Sequence, residues 1–302
     1  MSDRRLGLYL MDGLRKDVAE GRHKFFATLM RAFRGRGYEI DLYPDTLEER
    51  LASADRPGYS LFHLQTPLHD KALDLRQAYL KPFWRLERAQ WKDEYRIAGK
   101  PFEPEKLKAE AALRFMDRMR ARMGVTGPAP RTGGHVFVAL QGLLREQRHG
   151  QTCTPIDMVQ TVVELEESRP IILKLHPKET YSNGDLEAVS HFESYANVSV
   201  TTDPASDLIA GADYVVTQTS SVAVEAMLHE VPSVLFGAAD FHHACLNVSQ
   251  KGAAACLAEA PDFRPDFAAY LYWFLQRNCI NAVRNDVEAR IIDTCRDFGW
   301  RV

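Results

Sequence analysis

Short apolar runs alternate with amphipathic stretches along much of the chain. Residues 6–11 form such a run, closed by Asp12-Gly13, and read as a strand. A polar, glycine-containing stretch follows to Arg22 and reads as a loop. Over 23–36, Phe25, Phe26, Leu29, Met30 and Phe33 recur at helical spacing with basic residues between them, which predicts an amphipathic helix. Gly35 and Gly37 end it. Residues 38–43 and 60–65 read as the next strands, the second stopped by Thr66-Pro67. Strands alternating with helices predict a parallel sheet covered on both faces. From 70 to 123 the pattern is long, charged and helical, with breaks at Pro82, Pro101 and Pro104.

The stretch 124–134, GVTGPAPRTGG, is the best linker in the sequence. A second α/β run follows it. Strands are predicted over 136–140, 171–175, 198–201, 214–217 and 233–236, and helices over 157–167 and 221–229. Two helices, around 267–283 and 287–298, close the chain. In the first of them Tyr270, Leu271, Trp273, Phe274 and Leu275 read as packing residues. The expected fold is α/β, with two Rossmann-like domains, residues 1–130 and residues 131–302, facing a cleft.

Composition agrees with this picture and narrows the function classes. The chain has 302 residues, 45% hydrophobic and 26% charged, with formal net charge −3. That is the balance of a folded soluble protein, and a single core stops growing near about 250–300 residues. The near-neutral total hides an asymmetry, since residues 1–130 carry net +6 and residues 131–302 net −9. The basic residues are interspersed with acids and no recognition motif accompanies them, so nucleic acid is not an expected partner. No apolar run approaches the roughly 18–20 residues of a membrane span, and the N-terminus lacks a signal-peptide core. The five cysteines are odd in number and show no CxxC spacing, which argues against a disulfide framework or a zinc cluster. A reducing cytoplasm is the expected compartment.

Two motifs carry the candidate chemistry. Lys174-Leu175-His176-Pro177 ends an apolar strand, where the proline stops the ladder and sets His176 at the strand's carboxyl end. An imidazole there can donate a hydrogen bond to a phosphate oxygen. Thr217-Gln218-Thr219-Ser220-Ser221 follows the strand 214–217 and opens a helix, so Thr219, Ser220 and Ser221 bring hydroxyls to a helix N-terminus. Either motif alone could be a turn or a cap. Glu225 lies one turn on, facing the same way as Ser221. A third stretch, Gln141-Gly142-Leu143-Leu144-Arg145-Glu146-Gln147-Arg148, follows the strand 136–140, and Arg145 and Arg148 suit phosphate or carboxylate.

The His-Pro pair, the serine pair, the acid after it and the strand Val231-Pro232-Ser233-Val234-Leu235-Phe236-Gly237 together resemble the C-terminal domain of GT-B glycosyltransferases. The likeness is nearest to the capsule polysaccharide biosynthesis proteins related to bacterial Kdo transferases, and bacterial sialyltransferases share similar His-Pro and serine pairs. It covers about residues 135–245 and implies a GT-B-like fold, with an N-terminal, acceptor-side domain over 1–130 and a C-terminal, nucleotide-sugar-binding domain over 131–302. The resemblance implies that His176, Ser220 and Ser221 bind the phosphate of a CMP-sugar, that Glu225 contacts the ribose, and that Gln141 opens the nucleotide-binding loop. An acid a few residues after that glutamine takes part in catalysis in those proteins, whereas here Gly142, Leu143 and Leu144 follow and the first acid is Glu146.

The expectation is therefore an inverting glycosyltransferase of capsular or surface polysaccharide synthesis. It would transfer Kdo or a similar acid sugar from a CMP-sugar to a glycan or glycolipid. Asp12 is the expected base, with Asp17 and Glu146 as rivals, and His176 stabilises the leaving group. Gln141, Arg145, Arg148, Lys174, Thr219, Ser220, Ser221 and Glu225 form the expected nucleotide and phosphate site. No metal or other cofactor is expected, because His242-His243 has no third ligand at useful spacing and no DxD motif stands at the site. A cytoplasmic chain could meet the inner face of the bacterial membrane through its basic first half. The rivals are a CDP-glycerol-type glycerophosphotransferase and a non-catalytic GT-B-like subunit of a capsule assembly complex. A UDP-sugar epimerase is disfavoured, because Thr219-Ser220-Ser221 replaces a glycine-containing helix start.

Overall fold

A computed structural model describes residues 4–128 and 134–302. The chain forms two compact units, one made of the segment up to Arg96 together with Leu275–Val302, the other of Ile97–Phe274. Each is built on a six-stranded sheet.

In the first unit β1 (Arg5–Leu10), β2 (Glu39–Pro44), β3 (Tyr59–His63), β4 (Ala72–Gln77) and β5 (Phe83–Glu87) lie in the order β5-β4-β3-β1-β2, with the short strand Ile280–Asn281 beyond β5. The first four are parallel, while β5 runs antiparallel to β4 and Ile280–Asn281 antiparallel to β5. One face carries Leu6, Leu8, Leu10, Leu61, Leu73, Leu75, Trp84 and Leu86. The helix Lys24–Arg34 covers it with Phe25, Phe26, Leu29 and Phe33, and the helix Val287–Asp297 with Ile291, Ile292 and Cys295. That packing ties the end of the chain to the first unit. The opposite face holds Tyr9, Phe62 and Ala72, beside buried Asp74, Arg85 and Glu87.

The second unit has β6 (His135–Ala139), β7 (Ile171–Lys174), β8 (Val198–Thr201), β9 (Ala212–Thr217), β10 (Ser233–Leu235) and β11 (Leu246–Asn247), in the order β11-β10-β9-β6-β7-β8. Every pair in it is parallel. Val136, Val138, Ile171, Leu173, Tyr214 and Val216 pack on the helix Pro155–Leu165 through Met158, Val159 and Val162. On the other face Phe137, Ala139 and Val215 meet Leu208, Ile209 and Ala226. Chain order runs outward from β6 in one direction and from β9 in the other, so the topological switch falls between these two strands. Ligands of such sheets bind there, beyond the carboxyl ends.

Three expectations need correction. The stretch 70–123 is helical only over Ala109–Met123, and β4, β5 and two 3₁₀ turns occupy the rest. The charges of β4 and β5 sit on a buried face, not in solvent. Second, the polar stretch after β1 is a helix, Asp12–Ala19, of which only Val18 is fully buried. Third, the helix expected over 267–283 is the α-helix Phe267–Leu271 continued by a π-helical segment Tyr272–Arg277, and a strand follows; Tyr270, Leu271, Trp273, Phe274 and Leu275 are buried as expected. The helix Ala109–Met123 packs with Phe267–Leu271 and Val222–Leu228 and so belongs to the second unit. Of the expected linker, 129–133 lie outside the described residues.

Candidate functional site

A cavity of roughly 370 Å³ opens in the second unit at the carboxyl ends of its strands. Its floor is apolar, from Phe137 and Ala139 on β6 to Val222 and Ala205 on the neighbouring helices. Its polar wall consists of Lys174, His176, Thr202, Ser220, Ser221 and Glu225. Residues from the ends of β7 and β9, some 45 positions apart in sequence, therefore line one cavity.

The loop after β7 fixes the histidine. Lys178 N–H donates to His176 Nδ1 at 3.3 Å, and His176 N–H donates to the Tyr181 hydroxyl at 2.9 Å. Because Nδ1 accepts, a neutral ring carries its proton on Nε2, which leaves Nε2–H as a donor for an anionic oxygen. Burial pushes the Tyr181 phenol up; the His176 N–H opposes this, and the Glu179 and Asp185 carboxylates add to it. Lys174 Nζ donates to the Thr202 carbonyl at 3.2 Å, which steadies its positive charge at the cavity edge.

The loop after β9 is held from below. Thr217 Oγ1, fully buried, donates to the Ala139 carbonyl at 2.9 Å, and Gln218 Nε2 donates to the Cys153 carbonyl at 3.0 Å. Thr219 N–H donates to Gln141 Oε1 at 3.1 Å. Gln141 thus ties the end of β6 to the serine pair. Ser220 Oγ accepts from Val222 N–H at 3.3 Å just ahead of the helix Val222–Leu228, whose N-cap is Ser221. That helix has 7 residues, so hydroxyls, Lys174 and His176 outweigh its dipole as an anion-binding set. Glu225 is half-buried in the cavity, and burial alone pushes its carboxyl up.

The other expected residues stand apart from this cavity. Arg145 Nε donates to Asp185 Oδ1 at 3.1 Å and braces the Ser182 cap of the helix Asn183–Ser190. Arg148 is engaged through its backbone N–H, which donates to Gln151 Oε1 at 2.8 Å. Thr219 supports the loop from behind the serines. Asp12 belongs to the first unit, at the carboxyl end of β1, and its exposed carboxylate meets Arg15 at 2.8 Å. Of its rivals, Asp17 pairs with Arg22 at 3.0 Å and Glu146 is exposed. His242 and His243 are each within 2.8 Å of a backbone carbonyl, of Ala239 and Lys100 respectively. Sequence reasoning missed Tyr181, Thr202 and Gln218. Thr202 and Gln218 each follow directly after a strand of the sheet, and that position was the available signal.

Sequence comparison with protein families and with curated proteins finds no match. Comparison with solved structures does. The beta Kdo 2,7 transferase of Thermosulfurimonas dismutans KpsC is similar over 98% of this chain and 100% of its own, at 15% identity and TM-score 0.55. The beta Kdo 2,4 transferase of the same protein matches over 89% of each chain, at 11% identity and TM-score 0.49. A UDP-GlcNAc 2-epimerase of Methanocaldococcus jannaschii matches over 98% of this chain and 100% of its own, at 11% identity and TM-score 0.41. The first of these likenesses shows the fold: this chain has the GT-B-like pair of Rossmann-like α/β units expected from its sequence.

Proposed function

We propose that the protein is a glycosyltransferase that binds a nucleotide-activated sugar in its second unit, with a CMP-linked acid sugar such as Kdo as the donor. The observation that carries this reading is the convergence of Lys174, His176, Ser220 and Ser221 on one cavity at the topological switch. One lysine, one imidazole donor and two hydroxyls suit a single phosphate group. Glu225 offers a carboxyl to ribose hydroxyls on the apolar side of the cavity. As the sugar–phosphate bond breaks, negative charge grows on the phosphate, and His176 Nε2–H with Lys174 stabilises it more in the transition state than in the bound donor. The Kdo transferase that shares the fold makes Kdo the first sugar to test. Asp12, in the first unit, remains the carboxylate assigned to deprotonate the acceptor, a glycan or glycolipid of surface polysaccharide. The chemistry as written uses no metal. The reading implies a cytoplasmic enzyme working near the inner face of the bacterial membrane. Among the described residues no helix is long and apolar enough to cross a membrane.

Calorimetric titration of CMP, CDP and UDP into the wild type and His176→Ala tests it. CMP is expected to bind best, with affinity reduced tenfold or more in the variant, the size of a lost charge-assisted hydrogen bond of about 1.5–3 kcal/mol. Preference for CDP would move the assignment to a glycerophosphotransferase. Absence of binding by all three nucleotides would leave a non-catalytic subunit. With an acceptor in hand, the anomeric configuration of the product separates direct displacement, which inverts, from a two-step route that retains.

A further inference from the structure

A second cavity, of roughly 180 Å³, opens on a face of the first sheet and shares no lining residue with the one in the second unit. Strand register builds it. Gly7 on β1 stands beside Asp41 on β2 and Ser60 on β3, and Ser60 stands beside Ala72 on β4. Residues two apart on a strand share a face. The row of small side chains Gly7, Ser60 and Ala72 is therefore followed on that face by the tall row Tyr43, Tyr9 and Phe62, and preceded on β1 by Arg5. A Cβ on Gly7 would stand 2.9 Å from Tyr9 Cε2 and 3.2 Å from Tyr43 Cε2, so the depression depends on residue 7 having no side chain. Glycine inside a strand costs stability and often marks a place where a ligand comes close to the backbone.

The wall has the chemistry of a polyhydroxylated ligand. Ser60 is only 4% exposed, lines the cavity, and its hydroxyl bonds to no other residue among those described. A buried hydroxyl without a partner is costly, so this one is satisfied by whatever fills the cavity. Arg5 forks onto Asp41 through Nε and Nη2 at 2.9 and 2.8 Å and meets Glu39 at 3.2 Å. Arg56 lies over the Tyr43 ring at 4.0 Å, donates to the Tyr9 hydroxyl at 3.0 Å and pairs with Glu49. Both guanidinium groups are answered by carboxylates, so the wall holds no excess of positive charge to select an anion. The fork from Arg5 still leaves about two of the four acceptor sites of a carboxylate open to hydroxyl donors. Pro57 and the tyrosine rings add apolar contact for C–H groups. The volume is on the scale of one sugar ring and below the roughly 300–1,000 Å³ of pockets for larger organic ligands.

We propose that this cavity is a saccharide-binding site of the first unit, taking one neutral sugar ring. Its place in the enzyme rests on the glycosyltransferase reading: the ring belongs to the glycan acceptor, held on the first unit while the donor occupies the second. No bond is made or broken at this site.

Saturation-transfer NMR and calorimetry with methyl β-galactoside, methyl β-glucoside and the methyl β-glycoside of N-acetylglucosamine test it, with glucuronate as the charged comparison, on wild type, Ser60→Ala and Gly7→Ala. At least one neutral glycoside is expected to bind the wild type, and glucuronate no more tightly. Ser60→Ala removes a hydroxyl that makes no bond within the protein. It should weaken glycoside binding about threefold to tenfold and leave the thermal unfolding midpoint in place. Gly7→Ala should abolish binding; if that variant does not fold, Ser60→Ala decides. The site falls if none of the three glycosides binds, if glucuronate binds more tightly than all of them, or if Ser60→Ala binds as the wild type does. CMP titration into the same samples separates the two readings. CMP binding without glycoside binding overturns this site alone, whereas glycoside binding without CMP binding overturns the glycosyltransferase reading and leaves the saccharide site standing.

Discussion

The two sheets use charge in opposite ways. In the second unit the strands facing the core are almost wholly apolar, and the polar residues Lys174, His176, Ser220 and Ser221 gather past the carboxyl ends, where they line a cavity. In the first unit charge is built into the sheet. Asp74 and Arg76 on β4 form an ion pair across which Arg85 and Glu87 on β5 stand, and Arg85 lies over the rings of Tyr79 and Tyr95 at 4.9 and 5.2 Å. The carboxylate at the end of β1, Asp12, is instead exposed. Buried charge is costly unless it is paired; in the first unit the pairs run along the strands β4 and β5, whereas in the second they are confined to the start of β9, where Arg169 meets Glu166 and Asp213.

That contrast can be broken first at Arg85. Arg85→Ala leaves Asp74 and Glu87 buried with less compensation and should destabilise the first unit by about 3–5 kcal/mol, read by urea unfolding. Leu173→Ala in the second unit opens a cavity among apolar neighbours and should cost about 2–5 kcal/mol by the same measurement. A loss below 1 kcal/mol at Arg85 would mean that the network is dispensable.

A pH series sharpens the point. Burial raises the Asp74 carboxyl to about 6, against the opposing influence of Arg76 and Arg85. A carboxyl raised on folding binds its proton more tightly in the native state. Its contribution is therefore fully present below the unfolded value near 4 and is lost as pH climbs through 6. Asp74→Asn should flatten the decline in stability between those values, an effect on the order of 2–3 kcal/mol for a shift of this size. A slope unchanged in the variant would place the titration elsewhere.

The smallest expected effect is at Asp12. Its partner Arg15 is a surface neighbour, so Asp12→Asn should change stability by no more than about 0.5 kcal/mol. If it is the acceptor's base, the same substitution lowers sugar transfer at least a hundredfold with CMP affinity intact. Transfer that survives in Asp12→Asn would remove it from the chemistry.

How much of this was legible follows from the same contrast. The strands β6, β7 and β9 were readable because unbroken apolar runs such as Val136 to Val138 can only be buried, and Pro177 marked where one of them ends. β4 and β5 were missed although Leu73-Asp74-Leu75-Arg76 and Trp84-Arg85-Leu86-Glu87 alternate with the strand period of two. Their charges fit a helical pattern as well, because nothing local says that an aspartate will meet an arginine on the next strand. The polar helix Asp12–Ala19 was missed for a related reason, since a helix that buries little carries little periodic signal.

At the site, the residue types and their strand-end positions came from sequence alone. Local chemistry specifies a turn at Pro177, hydroxyls at a helix start and a phosphate-competent histidine between them. Tertiary structure decided which of these share a cavity. It separated Arg145 and Arg148 from the lining and made Gln141 a brace for Thr219. Each of those outcomes depends on the distance between two loops that follow different strands. That distance is set by strand order in the sheet, and a one-dimensional pattern of polar and apolar residues does not encode it.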